Sequence, residues 1–125
     1  MSTLRVNTIQ NAGGSGSPEI NGLAKAWVNF NGTGTVAIRA SFNVSSITDN
    51  GTGDYTINFT VAMSDANYSV TGLSQIDTGT NNCDGAINIK RGVASPLTTT
   101  GVRIGTGSYN LSLVDNVINA VAVFR

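Results

Sequence analysis

Apolar and polar residues alternate with a period of two through most of the chain from Ala24 onward. In TVAIRASFNVS the apolar set is Val36, Ile38, Ala40, Phe42 and Val44, and Arg39, Ser41 and Asn43 fall on the other face. DYTINFTVA gives Tyr55, Ile57, Phe59 and Val61 against Thr56, Asn58 and Thr60. Shorter runs repeat the pattern at Ile87 and Ile89, at Val102 and Ile104, and at Tyr109, Leu111 and Leu113. Strict alternation buries one face of a strand and leaves the other to solvent, as in antiparallel sheets. No window carries the 3.6-residue apolar period of an amphipathic helix. The predicted strands centre near Val28, Ile38, Ile57, Val70, Ile89, Val102, Leu111 and Val121.

Turn-forming clusters separate these runs: NGTG, TDNGTGD, DTGTNNCDG, GTGS and VDN. Such spacing predicts an all-β fold, an antiparallel β-sandwich or small barrel-like domain of about seven or eight strands. It occupies residues 24–125. Before it come an extended segment at 1–10, MSTLRVNTIQ, and a Gly/Ser-rich linker at 11–23. The last run, NVINAVAVFR, differs from the others. Ile118, Ala120, Ala122 and Phe124 line one face, and Val117, Val121 and Val123 line the other. Both faces therefore call for cover, the second from another layer or another subunit.

Composition narrows what such a fold does. Charged residues are 11% of the chain, against about 25% in ordinary soluble domains. Asn, Thr, Ser and Gly number 15, 15, 12 and 15, so neutral polar groups build the surface. Seven basic residues balance seven acidic ones, which leaves no basic footprint for nucleic acid or for anionic membranes. The absence of histidine removes the commonest general base and most transition-metal sites. Cys83 is the only cysteine and cannot form an internal disulfide. No stretch is long and apolar enough for a helical membrane span, and the N-terminus lacks the apolar region of a secretion signal. The six Asn-x-Ser/Thr sequons, at Asn31, Asn43, Asn50, Asn58, Asn67 and Asn110, follow from composition and are read as unmodified.

Candidate chemistry is sparse. NGTG occurs at Asn31–Gly34 and again at Asn50–Gly53. Neither copy opens a phosphate-binding loop: there is no Gly-Lys-Ser/Thr, no third glycine in register and no following helix. Asn-Gly instead supplies two residues tolerant of positive φ, as a tight hairpin turn requires. Asp77-Thr78-Gly79 matches the loop of aspartic proteases, but a polar turn follows it and the other protease segments are missing. Asp77, Asn81 and Asp84 offer oxygen ligands for a hard cation without the spacing of a known calcium loop. The expectation is no catalytic residue, no cofactor and no metal. Trp27 lies opposite Ala26, Val28 and Phe30 in the alternation. It is thus the aromatic best placed for an exposed or interfacial position, and a carbohydrate-binding role through it is one alternative.

Residues 24–72 carry the long stretch KAWVNFNGTGTVAIRASFNVSSITDNGTGDYTINF followed by AMSDANY. This stretch closely resembles a domain of tail-fibre proteins of tailed bacteriophages. The opening STLRVNTIQNAGG is similar to the first residues of virion appendage proteins in phages of marine and cyanobacterial hosts. The resemblance implies a non-enzymatic structural protein of the virion. It implies a tail-fibre-like homotrimer contacting other virion proteins and the host cell surface, a glycan or a protein. The alternative is a capsid or tail decoration protein, or head fibre, with no receptor role. Only about 23 residues precede the β domain, so the chain reads as a small appendage rather than a whole fibre. Within it, Leu4, Val6 and Ile9 are the expected virion anchor, adding a strand to a neighbouring protein. Ile118, Ala120, Ala122 and Phe124 are the expected subunit interface, and Trp27 the expected surface-binding residue.

Overall fold

In AKAWVNFN the alternating pattern becomes β1, Ala24–Asn31, with Ala26, Val28 and Phe30 buried and Trp27 exposed between them. The computed structural model describes residues 2, 23–76, 85–108 and 112–125. Eight further strands follow β1 among them: β2 Ala37–Phe42, β3 Val44–Gly51, β4 Asp54–Phe59, β5 Ser69–Gln75, β6 Ala86–Ile89, β7 Leu97–Thr98, β8 Gly101–Gly107 and β9 Ile118–Phe124. The fold is all-β, as the alternation predicts.

The strands form two antiparallel sheets. The first has the order β2-β1-β9-β5; the second has β3-β4-β8-β6, with the short β7 also paired to β8. Their inner faces enclose one core. Ala26, Val28, Phe30, Val121 and Val123 come from the first sheet, and Val44, Tyr55, Ile57, Phe59, Val102 and Ile104 from the second. Phe30 and Tyr55 meet edge-to-face across the layers, with ring centroids 5.2 Å apart. Phe59 and Tyr68 make a second such pair at 5.8 Å. The Tyr68 hydroxyl reaches the carbonyls of Thr98 and Gly101, at 2.9 and 2.8 Å, and ties the β7–β8 turn to the core.

Two strands had no predicted centre: the short β7, and β3, which begins inside TVAIRASFNVS and makes that run two strands, not one. Asn43 divides β2 from β3 and adopts a left-handed backbone, φ 53°. Its side chain clamps the corner from both sides: Nδ2 donates to the carbonyls of Lys25 and Val61, and Oδ1 accepts from the Val61 amide. Asparagine tolerates this conformation better than most residues. Apolar alternation runs unbroken through the corner, so periodicity alone hides it. The consequence for burial is large. Val44 joins the core, whereas all six residues of β2 are exposed, Ile38, Ala40 and Phe42 included. The predicted centre at Leu111 lies outside the described residues.

The two NGTG copies both connect antiparallel neighbours, but in the first the Asn-Gly pair carries no positive φ. The positive φ values fall on Gly34 in the first copy and on Gly51 and Gly53 in the second. Asn31 uses its side chain instead, donating to the Thr33 carbonyl and accepting from the Thr33 hydroxyl. Thr52 and Gly53 form the tip between β3 and β4.

Candidate functional site

Each sheet has an outer face, and the two differ in chemistry. On the first sheet, strand register places Phe42 beside Trp27, Trp27 beside Ala122, and Ala122 beside Thr71. The next row holds Ala40, Asn29, Ala120 and Leu73. Ile118 and Phe124 continue the face along β9. Several of these side chains are large, apolar and open to solvent: Leu73 is 80% exposed, Phe42 56% and Trp27 40%. The polar groups among them are largely committed. The Arg39 guanidinium crosses β1, donating to Asn29 Oδ1 and, at 2.6 Å, to the Val117 carbonyl.

This face is shaped as a groove. Ala120 and Ala122 on β9 make a low floor, with Trp27 of β1 on one side and Leu73 of β5 on the other. The open volume is about 450 Å³ and its lining is almost wholly apolar. Between the outward Thr71 and Leu73, Gly72 faces inward, where a Cβ would lie 2.7 Å from the Ala120 carbonyl oxygen and 3.0 Å from Ile87 Cδ1.

The second sheet presents a polar outer face. Asn58 Nδ2 donates to the hydroxyls of Ser46 and Thr48, and Asn50 Nδ2 donates to the Thr56 hydroxyl. These cross-strand links satisfy the face without apolar cover. Nearer β6, Asp54 takes a bidentate grip from Arg103, at 2.8 and 3.0 Å, and a contact from Lys90 Nζ at 3.1 Å. The Arg103 hydrogen bonds, aided by Lys90, hold the Asp54 carboxyl below the ordinary carboxylate range despite burial. Beside it lies a half-open cleft of about 400 Å³.

At one end of the sandwich the two NGTG loops converge on Tyr55. Its hydroxyl donates to Asp115 Oδ1 at 2.6 Å and lies 3.0 Å from the Gly32 carbonyl oxygen. The same Asp115 oxygen accepts the Gly53 amide at 2.7 Å. Burial first, and then the Asp115 carboxylate, push the Tyr55 hydroxyl well above its ordinary range, so it stays a phenol. The arrangement is a structural tie between loops and sheets. Gly32 is required beneath it, since a Cβ there would sit 2.6 Å from the Tyr55 hydroxyl.

The structure brings Trp27 and the four β9 residues, Ile118, Ala120, Ala122 and Phe124, onto one continuous face. Sequence reasoning had treated them as separate sites. It missed Leu73 and Phe42 on that face; Leu73 is the lone large apolar residue on the outward parity of SVTGLSQ, which was the available signal. It also missed the Asp54–Arg103–Lys90 cluster, whose members are 49 and 36 positions apart in the chain. Leu4, Val6 and Ile9, the Asp77–Asp84 loop with Cys83, and Tyr109 lie outside the described residues. Among the described residues no group of three His, Cys, Asp or Glu side chains is placed to hold a metal ion, and no helix is long and apolar enough to cross a membrane. No family model, no curated protein and no solved structure matches the chain.

Proposed function

We propose that this protein is a non-catalytic structural component of a tailed-phage virion, a tail-fibre-like appendage assembled as a homotrimer. The observation that carries the assembly is the apolar outer face of the first sheet. Four strands spaced about 4.8 Å apart make a face roughly 19 Å across. Large exposed apolar side chains gathered on one face, here Trp27, Phe42 and Leu73, support a contact surface. Its shape favours another copy of the chain as occupant. Leu73 is a ridge and Ala120 with Ala122 a groove, offset on the same face. The ridge of one protomer fits the groove of another, and the number three comes from the resemblance of residues 24–72 to trimeric fibres. The virion assignment rests on the long tail-fibre-like stretch at 24–72 and the opening segment. Leu4, Val6 and Ile9 then serve as the anchor, with a neighbouring virion protein as their partner.

The surface chemistry favours this reading over a carbohydrate-binding module built on Trp27. A sugar stacked on an indole also needs hydrogen-bonding groups around the ring. The neighbours of Trp27 across the sheet are Phe42 and Ala122. A cryo-EM map of purified particles that carry the protein tests the assignment. Three copies around a local three-fold, each with its first sheet turned inward and residues 1–10 against another virion protein, are expected. Isolated monomers on the particle, or copies with the first sheet turned outward to solvent, would overturn the proposal.

A further inference from the structure

The cleft on the second sheet has features that the fold does not require. Its floor includes Gly105, which sits in one cross-strand row between Asp54 of β4 and Asn88 of β6. The other nine described glycines each have either a positive φ or a neighbour that a Cβ would approach to 2.7 Å or less. Gly105 has neither: a Cβ there would meet Leu113 Cδ2 at 3.4 Å and Lys90 Cδ at 3.7 Å, both ordinary contacts. Packing and backbone conformation thus leave position 105 open to a side chain, and glycine there keeps the notch open.

The Lys90 stem and the Leu113 side chain flank the Gly105 notch, Asn88 lies beside Gly105 in its cross-strand row, and Arg91 joins the lining. Asp54 grips the Lys90 ammonium through one oxygen and so fixes its position, leaving its other N–H donors available. Arg91 pairs with no carboxylate among the described residues. The cluster of Lys90, Arg91 and Arg103 against Asp54 leaves an excess of positive charge. A volume of about 400 Å³ is within the range of small-ligand pockets.

We infer that this cleft binds an acidic sugar, with the carboxylate at Lys90 and Arg91 and the C–H face of the ring against Leu113. The anion uses the fixed ammonium and the exposed guanidinium, and Asn88 supplies a neutral partner for a ring hydroxyl. The site lies on the sheet opposite the proposed assembly face, so it stands whether or not the chain is a trimer.

The test is titration of the full chain, followed by amide NMR shifts and calorimetry, with three probes: a trimer of galacturonic acid, a neutral trisaccharide and inorganic phosphate. Saturable binding of the acidic trimer, with shifts confined to residues around 88–91 and 105, is the expected result. Arg91→Glu reverses an exposed charge and is expected to weaken binding by at least about tenfold with no change in melting temperature. Gly105→Ala, which adds a methyl group to the notch, is expected to weaken it as well. Equal binding of the neutral sugar, equal binding of phosphate, no saturable shift with the acidic trimer up to about 10 mM, or unchanged affinity in Arg91→Glu would each overturn the proposal.

Discussion

The two outer faces of this sandwich solve one problem in opposite ways. Both sheets present their second surface away from the core. The second sheet covers its surface with Ser46, Thr48, Asn50, Thr56 and Asn58, which hydrogen-bond to one another across the strands. It adds a carboxylate held by two cations. The first sheet leaves Trp27, Phe42, Leu73, Ala120 and Ala122 uncovered. The same β fold with the same alternation thus yields one surface suited to water and one that loses free energy by meeting it, at about 25 cal/mol per Å² of apolar area. A chain with 11% charged residues distributes them unevenly between its two outer faces, and the proposed interface is the face left apolar.

Placing a charge in the groove breaks the contrast most severely. Ala120→Arg puts a guanidinium on the alanine floor, where its side chain points outward and leaves the core intact. Self-association is expected to weaken by about a hundredfold or more, measured by sedimentation, with the β-sheet circular dichroism unchanged. On the polar face the corresponding change is Asp54→Asn, which replaces the carboxylate shared by Arg103 and Lys90 with a neutral amide. It is expected to cost roughly 2 kcal/mol in chemical unfolding and to leave the association state alone.

The same pair sets an acid-side pH dependence. The Asp54 carboxyl is held low in the folded state, so its contribution is complete above the ordinary carboxylate range near about 4 and fades as pH falls through its depressed value. Stability of the Asp54→Asn variant is expected to lose this component of the acid dependence; identical acid profiles for the two proteins would count against the pairing. The smallest expected effect is Asn58→Ala, which cuts the exposed links to Ser46 and Thr48. It is expected to cost about 0.5–1 kcal/mol in the same unfolding assay, again with association unchanged.

Much of the architecture was legible because burial enforces a period of two. Tyr55, Ile57 and Phe59 read as core and are core. Ala26, Val28 and Phe30 face inward, and Trp27 faces out. What stayed hidden involves conformation without a periodic signature. Asn43 breaks a run whose alternation never falters, because a single left-handed residue sends Val44 into the core and leaves Phe42 exposed without interrupting the period of two. The NGTG loops illustrate a related limit. Asn-Gly carries the strongest local preference for a tight turn, yet in the first copy the positive φ falls on Gly34, and in the second it is shared by Gly51 and Gly53. Gly32 is held for lack of a side chain, beneath Tyr55, at a contact between positions 23 apart in sequence. The candidate interface was half visible: β9 announced itself by being apolar on both faces, whereas Leu73 and Phe42 joined it only through strand order.

The central claim is that the first sheet's outer face is buried between copies of the chain. Its most direct test is the mass of the purified full-length protein in solution, by sedimentation equilibrium at micromolar concentration, alongside Ala120→Arg. The account predicts a trimer for the wild type and a folded monomer for the variant. A wild-type protein that is a stable monomer, or an Ala120→Arg variant that assembles as the wild type does, would contradict it.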